Sequence, residues 1–133
     1  MATQDRPGIL IVEDEFLVAL DLEDIVSGAG YKVLGIVGEA RAIETIAAAP
    51  RVALVDLNLR DGPTGVEIAK ALSARYGTRI IFVTANPDQI SNPPPTAVGY
   101  VQKPFSPETI AGSLGFALGM GEASRPSGLY ALG

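Results

Sequence analysis

Residues 52–59 read VALVDLNL, and this stretch decides the fold. Four apolar residues open it, Pro50 and Arg51 precede them, and a turn-forming RDGP sequence follows at 60–63. A short apolar run between turn signals is typical of a buried strand, and a strand that is apolar on both faces is typical of a parallel sheet covered by helices. Asp56 follows the run directly. The pattern therefore predicts its carboxylate at the carboxyl end of the strand, the edge where open parallel sheets bind ligands.

Four similar apolar runs and four helical patterns flank this strand. The predicted strands cover 8–12, 31–37, 52–55, 79–83 and 99–102. Apolar residues at three- and four-residue spacing predict helices over about 15–27, 39–49, 63–76 and 106–120, the second with Ile43, Ile46 and Ala47 facing inward. Strands that alternate with helices predict an α/β, doubly wound, five-stranded parallel sheet, in the flavodoxin-like order 2-1-3-4-5.

The segment between Thr84 and Tyr100 departs from this alternation. It contains Pro87 and a proline triplet at 93–95. A proline inside a helix costs about 3 kcal/mol, because it lacks an N–H and clashes with the preceding turn. We therefore expect at most one helical turn, at 87–91, so that the fourth helix is short or missing.

Composition restricts the possible functions. The chain has 133 residues, 47% hydrophobic, and a net charge of −5 that disfavours direct binding of nucleic acid. It has no cysteine and no histidine, which excludes disulfides, Ser-His-Asp catalysis and a phosphohistidine on this chain. The polar N-terminus lacks a signal-peptide pattern, and no apolar run approaches the roughly 20 residues that span a bilayer. We expect a soluble, cytoplasmic protein with no membrane partner. We also expect an N-terminal arm at 1–7, one domain at 8–121 and a flexible tail at 122–133.

Five polar residues end four of the predicted strands: Glu13, Asp14, Asp56, Thr84 and Lys103. The carboxyl ends of parallel strands share one edge, so these side chains can converge. Carboxylates about 5 Å apart repel by roughly 3 kcal/mol per pair at an effective dielectric near 20, and a divalent cation would relieve that repulsion. Oxygen ligands alone favour Mg²⁺, with Mn²⁺ as a possible substitute.

The same five residues suit phosphoryl transfer onto a carboxylate. Lys103 can pair with an anion, Thr84 offers a hydroxyl, and Asp56 is the candidate nucleophile. Each residue alone has an ordinary structural interpretation, as a turn former, a helix-dipole partner or a loop residue. Their coincidence at the ends of four strands favours a site.

At these positions the sequence resembles the response regulator receiver domains of two-component signalling. Four segments carry the resemblance, in the family's order: ILIVEDE at 9–15, LVDLNL at 54–59 with Gly62 and Gly65, FVTA at 82–85, and YVQKPF at 100–105. It extends over roughly residues 8–120. The irregular segment after Asn86 is similar to that of a subgroup of single-domain and stress-response receivers common in alphaproteobacteria.

The resemblance implies a phosphoacceptor and a metal site. Asp56 would accept a phosphoryl group from a sensor histidine kinase or a phosphotransfer protein. Asp14, Asp56 and the backbone carbonyl of Asn58 would bind Mg²⁺ directly, and Glu13 would assist, through water. Asn58 and Asn86 would tune the lifetime of the phosphoryl group.

The resemblance also implies a switch. Thr84 and Lys103 would contact the phosphoryl oxygens, and Tyr100 would swing inward when Thr84 moves. The bond between Lys103 and Pro104 would be cis, which costs little before proline.

These features favour a phosphorylation-controlled signalling module that catalyses only its own phosphorylation and dephosphorylation. About a dozen residues follow the last predicted helix, so we expect output through an unknown protein partner or a homodimer, unless the domain was cut from a longer chain. Two alternatives stay open. One is a pseudo-receiver or docking module that works without phosphorylation, through the Gly115-x-x-x-Gly119 spacing. The other is a phosphatase with an aspartyl nucleophile, although its motif should lie on the first strand.

Overall fold

A computed structural model of the protein describes residues 6–120 and 124–132. Six strands, three α-helices and two short 3₁₀ helices make up this part of the chain. In order they are β1 (Gly8–Val12), α1 (Phe16–Gly28), β2 (Lys32–Val37), the first 3₁₀ helix (Ala40–Thr45), β3 (Val52–Val55), α2 (Gly65–Tyr76), β4 (Arg79–Thr84), the second 3₁₀ helix (Pro87–Gln89), β5 (Ala97–Gln102), α3 (Pro107–Ala117) and β6 (Leu129–Tyr130).

The strands form one sheet in the order β2-β1-β3-β4-β5-β6. The first five strands are parallel, and β6 pairs with β5 in the antiparallel direction. The prediction of a five-stranded parallel sheet in the order 2-1-3-4-5 is therefore confirmed. The sheet is extended at the β5 edge by a strand that the sequence did not indicate.

Apolar side chains cover both faces of the sheet. Ile9 and Ile11 of β1 pack on the side that carries α1 and α3, while Leu10 and Val12 pack on the side that carries α2. Successive side chains of a strand point to opposite faces, so a strand buried on both sides must be apolar throughout. The four residues of β3 follow the same rule, and all are buried. This packing fixes the position of the strand ends.

Two helix ends are formed by residues suited to those positions. Ser106 caps α3, because its Oγ accepts a hydrogen bond of 3.1 Å from the backbone N–H of Thr109. Gly77 ends α2 in the left-handed conformation, with φ of 67°. Across residues 6–120 and 124–132, no helix has the length and apolarity needed to cross a membrane.

The predicted helix over 39–49 is wrong. Only the 3₁₀ helix Ala40–Thr45 forms, and Ile46 is already extended, with ψ of 139°. The hydroxyl of Thr45 donates to the carbonyl of Ala42 at 2.6 Å. An α-helix would use that carbonyl to accept the N–H of Ile46, so the side chain competes with the next helical turn.

The inward face of this segment agrees only in part with the prediction. Ile43 and Ile46 pack against the core cluster on the α2 side, as predicted. Ala47 is exposed rather than inward. The chain leaves the helical path at Ile46, so the helical spacing of three and four residues from Ile43 no longer places Ala47 on the same face.

The fourth helix is reduced to the second 3₁₀ helix, Pro87–Gln89, as the proline content predicted. The expected flexible tail at 122–133 is wrong for Leu129 and Tyr130, which form β6. Leu129 is buried, and Gly128 makes the turn before it with φ of +94°. Residues 1–5 of the predicted arm, and residues 122, 123 and 133 of the predicted tail, lie outside the described residues.

Candidate functional site

Three carboxylates meet at the carboxyl edge of the sheet. Glu13 and Asp14 follow β1, Asp56 follows β3, and these two strands are direct neighbours. The backbone N–H of Asp56 donates to the carbonyl of Val12 at 2.9 Å, which continues the pairing to the strand ends. As a result, oxygens from Glu13, Asp14 and Asp56 all lie within 4.8 Å of one another. The convergence predicted from the strand pattern is present for these three residues.

Lys103 brings a positive charge into this cluster. Its Nζ lies 3.1 Å from Asp56 Oδ2 and 2.9 Å from Glu13 Oε1. The peptide bond to Pro104 is cis, as the resemblance implied. Burial by itself would lower the pKa of the Lys103 ammonium, but hydrogen bonding and the charges of Glu13 and Asp56 outweigh it, so the pKa is raised. The ammonium therefore stays charged.

Backbone geometry fixes the Asp56 carboxylate on its other side. Asp56 Oδ1 accepts a hydrogen bond of 2.8 Å from the backbone N–H of Leu57. A Cβ at Gly65, the first residue of α2, would collide with the backbone carbonyl oxygen of Asp56. Only glycine permits this approach of α2 to the strand end. The side chain of Asp56 remains 10% exposed, so an incoming group can reach it.

Glu13 is the most deeply buried acid of the cluster, at 2% exposure. Burial raises the pKa of its carboxyl, the contact with Lys103 and the N–H of Glu15 oppose the rise, and the charge of Asp56 adds to it. Glu13 Oε2 accepts from the N–H of Glu15 at 3.1 Å. Glu13 Oε1 is close to Lys103 Nζ but outside hydrogen-bond alignment, so this buried oxygen lacks a well-directed donor.

The donor set fits a hard divalent cation. Glu13, Asp14 and Asp56 offer carboxylate oxygens, the ligands that Mg²⁺ prefers. If all three are ionised, their combined charge exceeds the one positive charge of Lys103. The poorly directed Glu13 Oε1 has lone pairs that a hydrated cation could satisfy. The chemistry of the residues present therefore agrees with the metal that the sequence predicted.

Thr84 and Asn86 lie at the end of the neighbouring strand β4. Thr84 is fully buried, and its Oγ1 accepts a hydrogen bond of 2.9 Å from the backbone N–H of Asn86. The carbonyl of Thr84 accepts from the N–H of Lys103 at 3.0 Å, so the ends of β4 and β5 are tied together. Asn86 lines a cavity of about 240 Å³ together with Asp14, Asp56, Asn58 and Lys103.

The side chain of Asn58 contacts a residue that sequence reasoning missed. Asn58 Nδ2 donates to Gln89 Oε1 at 3.0 Å, which joins the loop after β3 to the second 3₁₀ helix. An exposed glutamine in a proline-rich segment carries no sequence signal for such a role. Glu15 was also missed as a contact of the cluster, since its Oε1 lies 3.6 Å from Lys103 Nζ.

Asp61 supports the loop after Asp56 and was likewise missed. Its carboxylate accepts from the hydroxyl of Thr64 at 2.6 Å and from the N–H of Ala40 at 3.0 Å. These two hydrogen bonds lower the pKa of the Asp61 carboxyl. They connect the loop to the first 3₁₀ helix and so steady the approach to Asp56.

Tyr100, the predicted switch residue, lies on β5. It packs against the core cluster on the α2 side. Its ring lies 5.3 Å from the ring of Tyr130, measured between centroids, with 33° between the ring planes. Phe82 is its partner on β4. Thr84, two residues beyond Phe82, is on the same side of the sheet.

Curated proteins with related sequences are longer than this chain. It is 33% identical over 129 residues to the phyllosphere-induced regulator PhyR of Methylorubrum extorquens, covering 94% of this chain and 47% of that protein. It is 29% identical over 109 residues to the DNA-binding response regulator MtrA of Mycolicibacterium smegmatis, covering 79% of this chain and 47% of MtrA. The chain thus spans about half the length of these relatives.

Solved structures show the same fold. The receiver (REC) domain of PhyR from Erythrobacter litoralis superposes with a TM-score of 0.76 at 27% identity, covering 92% of this chain and 98% of that one. The signal receiver domain of a modulated diguanylate cyclase from Desulfovibrio desulfuricans gives 0.69 at 33% identity, covering 86% and 95%. The family model described as the response regulator receiver domain matches residues 9–114. With the acidic cluster, the lysine and the strand order in place, the chain belongs to the response regulator receiver domains of two-component systems.

Proposed function

We propose that this receiver domain is a phosphorylation-controlled signalling module in which Asp56 accepts a phosphoryl group from a sensor histidine kinase or a phosphotransfer protein. One observation carries the proposal. The Asp56 carboxylate is held between the N–H of Leu57 and the ammonium of Lys103, and within 4.8 Å of two further carboxylates. A domain at 8–121 in the cytoplasm, with no direct contact to nucleic acid or membrane, is part of the proposal.

The transfer step needs little covalent chemistry from the protein. An oxygen of the Asp56 carboxylate forms a bond to phosphorus while the phosphorus–nitrogen bond of a phosphohistidine donor breaks, and the imidazole leaves with the electron pair. The product is an acyl phosphate. Lys103, already 3.1 Å from Asp56 Oδ2, neutralises charge on the phosphoryl oxygens during transfer.

The metal in this proposal is Mg²⁺, with Mn²⁺ as a substitute. Asp14, Asp56 and the backbone carbonyl of Asn58 would hold it, and Glu13 would assist. When bound, the ion supplies further charge neutralisation for the phosphoryl group. The closeness of the three carboxylates supports this assignment, since the ion also relieves their mutual repulsion.

The response in this proposal is a two-state change at Thr84. Its hydroxyl oxygen accepts from the N–H of Asn86 in this structure, and the hydroxyl would reorient to donate to a phosphoryl oxygen. Tyr100 would move inward with it. The side chains of Asn58 and Asn86, beside the same cavity, would set the lifetime of the acyl phosphate by controlling the approach of water.

Output in this proposal runs through contacts with another protein or a second copy of the chain. PhyR of Bartonella quintana is described as an anti-anti-sigma factor, and this chain matches 50% of that protein at 28% identity. That similarity supports a regulatory protein as the partner class. The phosphatase alternative is disfavoured, since Asp56 follows β3 and not the first strand.

The test is incubation with Mg²⁺ and acetyl phosphate, followed by intact-mass measurement. We expect the mass of one added phosphoryl group on the wild type and none on Asp56→Asn. Asp24→Asn, an exposed acid on α1, is the matched control and should be modified like the wild type. Absence of the added mass on the wild type, or its persistence on Asp56→Asn, would contradict the proposal.

A further inference from the structure

Residues 124–132, the C-terminal strap, cover the outer edge of the sheet. Within the strap, β6 pairs antiparallel with β5, opposing Tyr130 to Tyr100 and Leu129 to Val101. Leu129 is buried in the core cluster on the α1 and α3 side, and Leu132 packs on the opposite side. The strap therefore wraps the edge of β5, which would otherwise present unpaired backbone groups.

Two glycines of the domain, Gly99 and Gly112, lie where the strap passes. A Cβ at Gly99 of β5 would collide with the carbonyl oxygen of Tyr130, and a Cβ at Gly112 of α3 would lie 3.1 Å from Pro126. Glycine within a strand or helix weakens that element, and it often marks the close approach of another backbone. Both positions thus make room for an extended segment along β5 and α3.

Three contacts that involve polar groups join the strap to the domain. The guanidinium carbon of Arg125 lies 4.9 Å from the ring centroid of Phe116, and Arg125 Nη1 donates to the carbonyl of Val98 at 3.1 Å. The hydroxyl of Thr109 donates to the carbonyl of Ser127 at 3.2 Å. A segment with arginine, a leucine-like residue and an aromatic residue at these spacings matches the surface.

Few backbone pairs join the strap to the sheet near the predicted switch residue, Tyr100. Only two residues of the strap form strand pairs. Tyr130 is 51% exposed, and its ring contacts the ring of Tyr100 in a tilted arrangement. Any inward movement of Tyr100 would therefore remove the aromatic contact that holds this end of the strap.

We propose that the outer edge of β5 is a strand-docking surface, which the strap covers in the unphosphorylated protein and leaves when Tyr100 moves. The partner that fits the uncovered edge is an extended protein segment with the strap's own chemistry, which adds to β5 as a new strand. The trigger rests on the proposed function, since it is the phosphorylation of Asp56 that moves Tyr100.

Hydrogen–deuterium exchange on the full chain tests the release of the strap. With Mg²⁺ and acetyl phosphate, exchange of the amides in 124–132 and 97–102 should rise by about tenfold or more in the wild type. Asp56→Asn should show no rise. Gly99→Ala should show the rise without phosphorylation and should still gain the phosphoryl mass, because Gly99 lies outside the carboxylate cluster. Tyr76→Ala, an exposed aromatic on α2, is the control and should behave as the wild type.

Mass and exchange separate the two proposals. A fully phosphorylated wild type with unchanged exchange in the strap would overturn the docking surface and leave the proposed function standing. No phosphoryl mass on the wild type would contradict the proposed function and, with it, the trigger.

Binding of a labelled synthetic peptide with the sequence of residues 124–132, SRPSGLYAL, tests the docking surface itself. Fluorescence polarisation should show binding to the wild type in Mg²⁺ and beryllofluoride, a phosphoryl mimic, and no binding to the untreated protein. Gly99→Ala should bind the peptide in neither state, since the added Cβ blocks the paired backbone. Equal binding in both states, or a scrambled peptide that binds as well, would overturn the proposal.

Discussion

Lys103 Nζ donates to Asp56 Oδ2 at 3.1 Å, although the two residues are 47 positions apart in the chain. The contact exists because β3 and β5 end at the same edge of one parallel sheet, with β4 between them. It joins the candidate nucleophile to a cation that can neutralise an arriving phosphoryl group. The same ammonium also lies 2.9 Å from the buried Glu13, so its removal affects both chemistry and stability.

Replacement of Lys103 by methionine should slow the phosphorylation of Asp56. The ammonium would stabilise charge on the phosphoryl oxygens, and loss of one such donor typically costs about 10²-fold or more in rate. The rate of phosphoryl addition from acetyl phosphate, followed by intact mass, checks this. Lys32→Met on the exposed end of β2 is the control. An unchanged rate for Lys103→Met would rule out the assigned role.

The buried carboxyl of Glu13 should make the metal-free protein less stable as the pH rises. Burial raises the pKa of Glu13 in the folded protein above its ordinary value of 4.5. At a pH between the ordinary pKa and the raised pKa, the folded state therefore holds a proton that the unfolded state has lost. The free energy of unfolding therefore falls as the pH rises through this window. The Glu13→Gln variant should lack this contribution to the change in the free energy of unfolding with pH.

Urea unfolding in EDTA at several pH values, with wild type and Glu13→Gln compared, measures the difference. Glu44→Gln, an exposed acid on the first 3₁₀ helix, should follow the wild type. Parallel curves for the wild type and Glu13→Gln would contradict the raised pKa.

Mg²⁺ should stabilise the folded protein through the carboxylate cluster. A ligand that binds only the folded state at a hundred times its dissociation constant adds about 2.7 kcal/mol to the free energy of unfolding. Thermal unfolding with and without Mg²⁺ should show a rise in Tm for the wild type and for Asp24→Asn, but little or none for Asp14→Ala. A Tm rise that survives in Asp14→Ala would place the ion elsewhere.

Gly65→Ala should destabilise the protein by about 1–3 kcal/mol, because the new methyl group collides with the carbonyl oxygen of Asp56 and forces α2 away from the strand end. Gly28→Ala is the matched control, since a Cβ there meets no atom within 4 Å and alanine favours a helix. Urea unfolding of both variants gives the comparison. Equal stabilities would show that α2 can shift without cost.

The Thr84→Ala variant should still accept a phosphoryl group on Asp56, but phosphorylation should no longer move Tyr100. It should still gain the phosphoryl mass, while the NMR signals of Tyr100 should stay unchanged on phosphorylation. Loss of the acceptor for the N–H of Asn86 should lower stability by about 1 kcal/mol. Thr84→Ser keeps the hydroxyl and should restore the response. A full Tyr100 response in Thr84→Ala would show that Tyr100 moves independently of Thr84.

The sequence predicted the parts of the site that depend on strand ends. Glu13, Asp14, Asp56 and Lys103 each follow an apolar run, and parallel pairing brings such positions together whatever the loops do. The position of Thr84 at the end of β4 follows from the same rule. The roles of these residues in phosphoryl transfer stay predictions.

The features that sequence reasoning missed depend on particular long-range or side-chain contacts. The hydroxyl of Thr45 bonds to the carbonyl of Ala42 and so competes with the helix expected over 39–49, a competition that apolar spacing does not report. β6 has only two residues, and Gly99 leaves room for it beside β5. Gln89 reaches Asn58 across two loops. None of these contacts has a periodic signature.

The central claim is that Asp56 carries the phosphoryl group. Borohydride reduction of the phosphorylated protein, followed by peptide mass mapping, converts an aspartyl phosphate to homoserine and so identifies the residue. We predict homoserine at position 56, dependent on Mg²⁺, and an unmodified residue at every other aspartate. Homoserine at Asp14 or at another position would contradict the account. So would the absence of homoserine from a protein that a normal unfolding transition shows to be folded.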